Sequence, residues 1–413
     1  MPIDIQKALD STTGAALIPE SLAPVVVEYA KKLNPLMGIL RWNKAAGKTH
    51  EFARRTALPS AGPEGEGAIT ASSRSSYTRD SVQLKIVRTR GGVTGFESAA
   101  TASFADALQT ELNGAVESQA YSIEQQMLWG NSEDPYQIDG LDALVAANLI
   151  DVNGTIQLSD LDEMIDLVRD SGAKRDPLLL IMSNKMLSKV SSLYVSQFSL
   201  QLPSTDVRGG YRLSAYRDVP ILESSFLRPA ATMGSVSLQA GSGGSLAAGT
   251  YYVRVSAVTQ DGETVACASN SVAVSASGKI TVDWTSSVVE GALLYKIYAT
   301  EANGDAGTET LQLVVPGRSY DGDGTPGADA TSAIVDEYVS GGNLPLDSGD
   351  ETVYLVDLNP DQGLEVEYLG SSPVIIERLA RTADSEEFLL KTYFALAGKG
   401  EKHCARLLRV TAE

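Results

Sequence analysis

The sequence has very little of the chemistry that most catalytic and metal sites need. Its 413 residues include two cysteines, Cys267 and Cys404, and two histidines, His50 and His403. A structural zinc site usually takes four Cys or His ligands, and these residues are too scattered to predict one. His403 and Cys404 are adjacent, so in a strand they would point to opposite faces and could not act as base and nucleophile. We expect His403 at the surface, Cys404 buried, and no catalytic residue, metal or cofactor.

Long hydrophobic runs are missing as well. No window approaches the roughly 20 apolar residues that a membrane helix needs, and residues 1–7 have neither the basic start nor the apolar run of a signal peptide. No Gly-x-Gly-x-x-Gly lies between a predicted strand and a helix, and no Gly-x-x-x-x-Gly-Lys-Ser/Thr is present. Residues 321–324 have part of a calcium-loop pattern without its later acidic ligand, which favours a plain turn. We therefore expect a chain made in the cytosol, away from membranes, that is not an enzyme.

Charge is distributed unevenly along the chain. The formal net charge is −19, from 33 basic and 52 acidic side chains. Between Lys31 and Arg90, twelve Lys or Arg against four Asp or Glu give +8, which leaves −27 for the rest. A basic segment often binds nucleic acid, but phosphates repel a strongly acidic molecule. An acidic surface on another copy of the same chain is a better partner, and a solvated hairpin without a partner is the alternative.

The first hundred residues are predicted to form an arm and a long hairpin. Residues 12–19 are extended, and residues 24–33 suit a short helix that ends before Pro35. The patterns at 49–57 and 81–94 predict two paired strands, and the segment 58–78 between them is rich in Gly, Ser and Pro. Because an isolated hairpin is only marginally stable in water, we expect it to lie on another surface.

A long helix is predicted next. Apolar residues recur at helical spacing from 103 to 127, with Ser103 as the candidate N-cap and a break near Gly130. Residues 141–233 then alternate helices and strands, including helices opened by Ser159 and Ser183 and a buried strand at 178–182, which is typical of an α+β domain. The residues predicted to pack along the long helix are Phe104, Leu108, Leu112, Val116, Ile123 and Met127.

The composition changes at about Ser235. Short strands separated by Gly, Asn, Asp and Ser turns are predicted at 250–258, 271–274, 279–284, 294–298 and 311–315. This pattern favours an immunoglobulin- or fibronectin-like β-sandwich at 235–340, whose net charge of −8 suits an outward-facing module. Strands at 353–356 and 373–378 and a terminal hairpin of 388–397 with 405–410 follow. The sandwich therefore interrupts a host domain that closes only at the C-terminus.

The order of these elements resembles that of the major capsid proteins of tailed double-stranded-DNA bacteriophages, the Hong Kong 97-like fold. Segments 13–19, 140–145, 178–184 and 394–400 carry the likeness, which spans about three quarters of the chain, everything but the sandwich. The resemblance implies an α+β fold with an inserted all-β sandwich at 235–340. The arm and lead-in would be 1–47 and the extended loop 48–94. A peripheral domain with the spine helix would be 95–136 with 369–413, and an axial domain 137–233 with 341–368.

The resemblance also implies a structural function. The chain would form hexamers and pentamers of an icosahedral virion shell, assembled in the host cytoplasm, that encloses double-stranded DNA without reading its sequence, with the sandwich outside. Each exposed ion pair is worth only about 0–1 kcal/mol, so repetition and apolar burial must supply the rest. The basic residues expected to lie on acidic patches of the adjacent subunit are Lys48, Arg54, Arg55, Arg74, Arg79, Lys85, Arg88 and Arg90.

Two differences from relatives, and two rival functions, accompany this hypothesis. Some relatives begin with a scaffolding segment, whereas here the arm starts almost at Met1, so scaffolding is expected from a separate protein or a segment already removed; portal and decoration proteins would be further partners. Some relatives crosslink covalently through Lys and Asn; no position matches, so noncovalent stabilisation is expected.

The alternatives are an encapsulin-like shell around cargo proteins and an immunoglobulin-like surface adhesin, for which no export signal is found.

Overall fold

The computed structural model describes residues 36–64, 66, 72–101, 106–174, 177–207, 211–228, 231–259, 261–321, 326–379 and 384–412. The predicted arm, Phe104 and most of the turn at 321–324 lie outside these ranges.

Fifteen elements precede the predicted sandwich in the described ranges. They are α1 Leu36–Ile39, β1 Trp42–Lys44, β2 Thr49–Ala57, β3 Ser76–Gln83, β4 Lys85–Thr94, α2 Gly95–Thr101, α3 Ala107–Trp129, α4 Leu141–Leu144, β5 Leu149–Thr155, α5 Leu158–Asp170, β6 Leu178–Met182, α6 Asn184–Phe198, β7 Ser204–Val207, β8 Tyr211–Tyr216 and β9 Val219–Glu223.

The remaining described elements are strands, apart from two short 3-10 turns. They are β10 Ser237–Leu246, β11 Gly249–Thr259, β12 Gly262–Glu263, β13 Asn270–Val274, β14 Gly278–Asp283, β15 Leu294–Ala299, β16 Thr310–Pro316, β17 Arg318–Tyr320, β18 Pro326–Asp329, β19 Ser332–Val335, β20 Glu351–Asp357, β21 Leu364–Tyr368, β22 Ile375–Arg378, β23 Ser385–Gly398 and β24 Ala405–Thr411.

The hairpin consists of β2 and β3, which pair antiparallel from Thr49 opposite Gln83 to Ala57 opposite Ser76. The predicted return strand at 81–94 is wrong for most of its length, because β4 pairs with β23 instead. The change of partner occurs at Leu84, which is buried and whose backbone N–H donates to the Lys48 carbonyl at 2.9 Å. Leu84 therefore ends the hairpin and returns the chain to the body.

A five-stranded sheet carries the long helix. Its order is β1-β21-β23-β22, with β4 also paired to β23, and β1 runs parallel to β21. The C-terminal half of α3 packs on this sheet through Ile123 and Met127, which share a core with Val87 of β4 and Phe394 of β23.

The long helix begins later than predicted. Its N-cap is Asp106, whose carboxylate accepts the Gln109 N–H at 3.1 Å. The predicted N-cap, Ser103, lies outside the described ranges. The predicted break is confirmed, since the helix ends at Trp129 and the Gly130 N–H donates to the Gln126 carbonyl at 2.9 Å.

A seven-stranded sheet forms the second part of the body. Its order is β5-β24-β20-β6-β9-β8-β7, and α5 and α6 share a hydrophobic core with it. Every residue of β6 is buried, as predicted, and Ser183 caps α6 by accepting the Met186 N–H at 3.2 Å. The start of α5 differs from the prediction, because Gln157 and Asp160 form its capping box in place of Ser159.

The predicted terminal hairpin is wrong. Strand β23 lies in the five-stranded sheet, whereas β24 lies in the seven-stranded sheet between β5 and β20. The turn between them therefore crosses from one sheet to the other, and the last strand joins the two parts of the body.

Strands β10 to β19 form two sheets around one core, with β17 and β18 as a separate antiparallel pair. One sheet has the order β10-β14-β19, and the other has the order β12-β11-β15-β16 with β13 paired to β11. Trp284 is fully buried in their common core, beside Tyr295 at 4.8 Å between ring centroids. All five strands predicted here are present, and membership of the immunoglobulin or fibronectin type stays a prediction.

Among the described residues, no helix is both long and apolar enough to cross a membrane.

Candidate assembly surfaces

Arg54 holds the hairpin on its own subunit. Its Nε lies 2.8 Å from Asp80 on β3, and one terminal nitrogen lies 2.9 Å from Glu401 in the turn between β23 and β24. The other terminal nitrogen donates to the Gly398 carbonyl at 2.9 Å. A residue predicted to bind a neighbouring subunit is therefore occupied within the chain.

Three more of the predicted contact residues also have partners in the same chain. Arg79 pairs with Glu51 across the hairpin at 3.3 Å, and Arg90 pairs with Glu387 across β4 and β23. Lys85 donates to the Pro135 carbonyl at 2.7 Å. These contacts link the two strands of the hairpin and hold β4 to the body, and they leave fewer cations without a partner in the same chain.

The remaining four predicted contact residues have no ion pair within the described ranges. These residues are Lys48, Arg55, Arg74 and Arg88, and all are exposed. The Arg55 guanidinium lies 5.5 Å from the centre of the Tyr77 ring. Hydrogen bonds with Ser75 and Arg55 lower the pKa of Tyr77. The side chain of Tyr77 is 59% exposed, and that of Leu58, just after β2, is 70% exposed. The hairpin thus presents unpaired cations together with exposed apolar groups.

A cleft of about 730 Å³ lies between the hairpin and the turn after β23. Basic groups outnumber acidic ones in its lining, since Asp361 and Glu401 are the acidic members. The basic and histidine side chains that line it are Arg54, Arg55, Lys399, Lys402 and His403.

A second groove, of about 230 Å³, lies between the N-terminal half of α3 and strands β22 and β23. Three acidic residues, Asp106, Glu386 and Glu387, stand beside its apolar lining, with Arg378 as its basic member. The apolar residues of the groove are Leu108, Leu112, Ile376, Leu379 and Phe388.

The residues predicted to pack along α3 differ in burial between the two ends of the helix. Of those predicted to pack along α3, Ile123 and Met127 are buried, Leu108 and Leu112 are half-buried in the groove, and Val116 is exposed. The helix is therefore packed at its C-terminal end and offers an apolar face at its N-terminal end.

Comparison with known families decides the identity. The profile described as SU10 major capsid protein matches residues 6–216, just over half of the chain. The chain belongs to this family. It is thus a major capsid protein of the bacteriophage type, and no curated protein matches it.

Solved structures show the fold of this capsid protein. The SrpI encapsulin complex from Synechococcus elongatus PCC 7942 matches with a TM-score of 0.54 at 12% identity, over 98% of this chain and 97% of that one. The capsid of the native GTA particle gives 0.52 at 9% identity, over 98% and 100%. A chain from Microbacterium phage Oxtober96 gives 0.51 at 12% identity, over 99% of both. The capsid protein has the Hong Kong 97-like fold predicted from its element order.

The His403–Cys404 pair of the capsid protein does not form a nucleophile and base. Cys404 is buried, and burial raises the pKa of its thiol to about 11, so the thiolate is scarce at neutral pH. His403 is half-buried rather than fully at the surface, with its Nδ1 3.3 Å from Asp357. The contact between His403 and Asp357, beside a buried thiol, is therefore interpreted as structural.

A buried ionic cluster joins the sandwich to the body, and sequence reasoning missed it. Lys296 of β15 lies 2.8 Å from Asp142 of α4 and 2.7 Å from Glu263 of β12, and Arg406 of β24 lies 2.7 Å from Asp142. Burial alone would raise the pKa of Asp142, but the positive charges of Arg406 and Lys296 outweigh it and lower that pKa. No local pattern signals this cluster, because its members come from four distant segments.

Proposed function

We propose that this major capsid protein forms the hexamers and pentamers of an icosahedral shell that encloses double-stranded DNA, and that its hairpin lies on an acidic flank of the next subunit. The observation that carries the proposal is the charge asymmetry of the chain, in which the segment from Lys31 to Arg90 carries +8 and the rest −27. Four exposed cations of that segment, three in or beside the hairpin and one on β4, have no ion pair within the described ranges. Opposite charges on two surfaces of one chain favour association between copies.

The groove beside α3 is the best candidate for the receiving surface. It combines an apolar lining with three acidic residues, and the hairpin combines cations with the exposed side chains of Leu58 and Tyr77. Apolar burial would supply most of the free energy, at about 25 cal/mol per Å². The ion pairs would orient the two surfaces, since each exposed pair contributes at most about 1 kcal/mol.

The remaining parts of the proposal follow from position and charge. The acidic balance suits a shell that contains DNA without binding it tightly, and the acidic sandwich suits an outward-facing position. The five-stranded sheet with α3 would be the peripheral domain, and the seven-stranded sheet with α5 and α6 would be the axial domain. Strand β24 would then belong to the axial domain, although its residues fall in the segment predicted to be peripheral. Assembly would take place in the host cytoplasm without covalent crosslinks, with scaffolding, portal or decoration proteins as partners.

Charge reversal tests the proposal. The variant K48E/R55E/R74E/R88E reverses the three unpaired cations in or beside the hairpin and the one on β4, while the ion pairs of Arg54, Arg79 and Arg90 are retained. We expect at least a tenfold loss of particles measured by sedimentation and negative-stain microscopy, with the soluble variant folded by circular dichroism.

The matched control exchanges charges inside the chain. R79E/E51R keeps an ion pair between β2 and β3 and changes neither the net charge, nor the four unpaired cations, nor the acidic residues of the groove, so particles should form in normal yield. Normal particles from the quadruple variant would refute the role of the hairpin.

An encapsulin-like shell is the second candidate, because the SrpI encapsulin complex matches this fold over nearly its whole length. The contents of purified particles distinguish the two functions. Nuclease-protected DNA supports a phage capsid, whereas a stoichiometric protein cargo without DNA would support the alternative.

A further inference from the structure

The base of the hairpin brings one imidazole and two carboxylates together. Glu365 and Glu367 are two residues apart in β21, so their side chains lie on the same face of the five-stranded sheet. His50, in β2, places its Nε2 3.7 Å from Glu367 Oε1. One ligand atom from each of the three residues lies within 4.8 Å of the other two.

The three side chains of this cluster are shielded from water, and one of their polar atoms lacks a hydrogen bond. Both glutamates are only 3% exposed, and the buried Nε2 of His50 has no hydrogen-bond partner among the described residues. A shared proton or a bound cation would relieve the repulsion between two carboxylates in this position.

The spacing suits a small divalent ion better than a direct hydrogen bond. The separation of 3.7 Å between Nε2 and Oε1 exceeds the hydrogen-bond range. Two ligands at about 2.0–2.2 Å from a tetrahedral ion are separated by roughly 3.3–3.6 Å. An ion between His50 and Glu367 would therefore need a shift of only a few tenths of an ångström.

The third ligand, Glu365, is already held in place by other side chains. Asn43 of β1 donates to Glu365 Oε2 at 2.5 Å, and the Lys399 ammonium contacts Oε1. Each carboxylate oxygen has two lone pairs, so both contacts leave capacity for a metal. Hydrogen-bonded supports of this kind are usual around metal-binding carboxylates.

We propose that His50 Nε2, Glu365 and Glu367 bind a divalent transition ion of the zinc class, which ties the hairpin to β21. A donor set of one imidazole nitrogen and carboxylate oxygens favours zinc over the hard cations Mg²⁺ and Ca²⁺. The ion would fix the angle at which the hairpin leaves the body. The site lies within one subunit, so it holds whether or not the assembly proposal does.

Calorimetric titration of the EDTA-treated, unassembled full chain with Zn²⁺ tests the proposal. We expect one ion per chain, with binding at least tenfold weaker in H50A and in E367Q and little or no binding of Mg²⁺. H403Q is the matched control, because it removes the chain's only other histidine and should bind zinc as the unmodified chain does. Absence of stoichiometric zinc binding, or equal affinity in H50A, would overturn the proposal.

Hydrogen exchange provides a second test, which does not depend on comparing zinc affinities between variants. Hydrogen exchange of the amides of 49–53 and 82–84, at the base of the hairpin, should slow when zinc is added to the unmodified chain and to H403Q. E367Q replaces a buried carboxyl with a neutral group of the same shape, so it should fold, and zinc should leave its exchange unchanged. Slowing in E367Q equal to that in the unmodified chain would place the ion elsewhere and refute the assignment.

Discussion

Glu124 is a buried acid that fastens the start of the described chain to the long helix. Its side chain projects from α3 and is fully buried. Oε1 accepts a hydrogen bond from the Ser224 hydroxyl at 3.1 Å, and Oε2 accepts the Leu36 N–H of α1 at 3.3 Å. Burial outweighs these hydrogen bonds and raises the pKa of Glu124 from 4.5 to about 8. The folded chain therefore keeps this proton at pH values where an unfolded chain releases it.

Stability should fall as pH rises from about 5 to about 8, in part because of Glu124. A carboxyl with a raised folded-state pKa stabilises the fold fully below its ordinary pKa, and this contribution is lost as pH approaches the raised value. The contribution changes by up to about 1.4 kcal/mol per pH unit in that window. E124Q cannot ionise, so the difference in unfolding free energy between E124Q and the unmodified chain should grow in favour of E124Q from pH 5 to pH 8.

Urea unfolding at several pH values measures that difference. The control is E111Q, which neutralises an exposed acid of the same helix and should follow the unmodified chain at every pH. A pH-independent difference for E124Q would show that Glu124 ionises normally.

Arg54 shows what a sequence reveals about individual residues. Counting charges predicted a basic segment, and four of its exposed cations have no ion pair within the described ranges. The count could not show that Arg54 pairs with Glu401, because that partner lies 347 positions away. His50 and Glu367 meet by the same kind of distant contact, so sequence reasoning predicted no metal site.

Strand pattern predicted which segments are extended but not which strands pair. The sandwich strands were found because turn residues separate them and their alternation is regular. The segment 81–94 reads as one strand, yet Leu84 divides it between the hairpin and the body sheet. Strands β23 and β24 are close in sequence and read as a hairpin, but they pair in different sheets. Partner choice depends on long-range packing that local alternation does not encode.

The first turn of α3 offers a test of helix capping. Asp106 accepts the Gln109 N–H, and loss of such a cap costs about 1 kcal/mol. D106A should therefore speed hydrogen exchange in the first helical turn by about fivefold. D106N keeps an acceptor oxygen and should exchange nearly as the unmodified chain does. Unchanged exchange in D106A would mean that packing, rather than the cap, fixes this end of the helix.

The whole molecule is held together at the junction between sandwich and body. Val258 and Leu294 of the sandwich share a hydrophobic core with Trp129 and Phe226 of the body. At a second contact the Tyr320 hydroxyl donates to Asp134 at 2.8 Å. The composition predicted an acidic, solvated module, which describes its outward surface. Its inner surface is apolar and ion-paired, so the sandwich is an integral part of the subunit rather than an appended domain.

Lys296 should be the most sensitive residue of this junction. It is 1% exposed, it neutralises both Asp142 and Glu263, and its ammonium lies 5.0 Å from the centre of the Trp129 ring. K296M would leave two buried carboxylates with Arg406 as the remaining cation of the cluster. Breaking a buried pair in this way costs about 3–5 kcal/mol, so the unfolding temperature and the yield of particles should both fall.

Two further variants separate the charge of Lys296 from its packing. R318A removes a cation from the exposed pair with Asp329 and should cost at most about 1 kcal/mol. K296M/E263Q removes one anion together with the cation, while Tyr298 and Ser256 can still donate to the amide oxygen of residue 263. The double variant should therefore regain part of the stability lost in K296M, because a single anion then faces Arg406. If K296M costs no more than R318A, or the double variant is no more stable than K296M, the ionic cluster is not what joins the sandwich to the body.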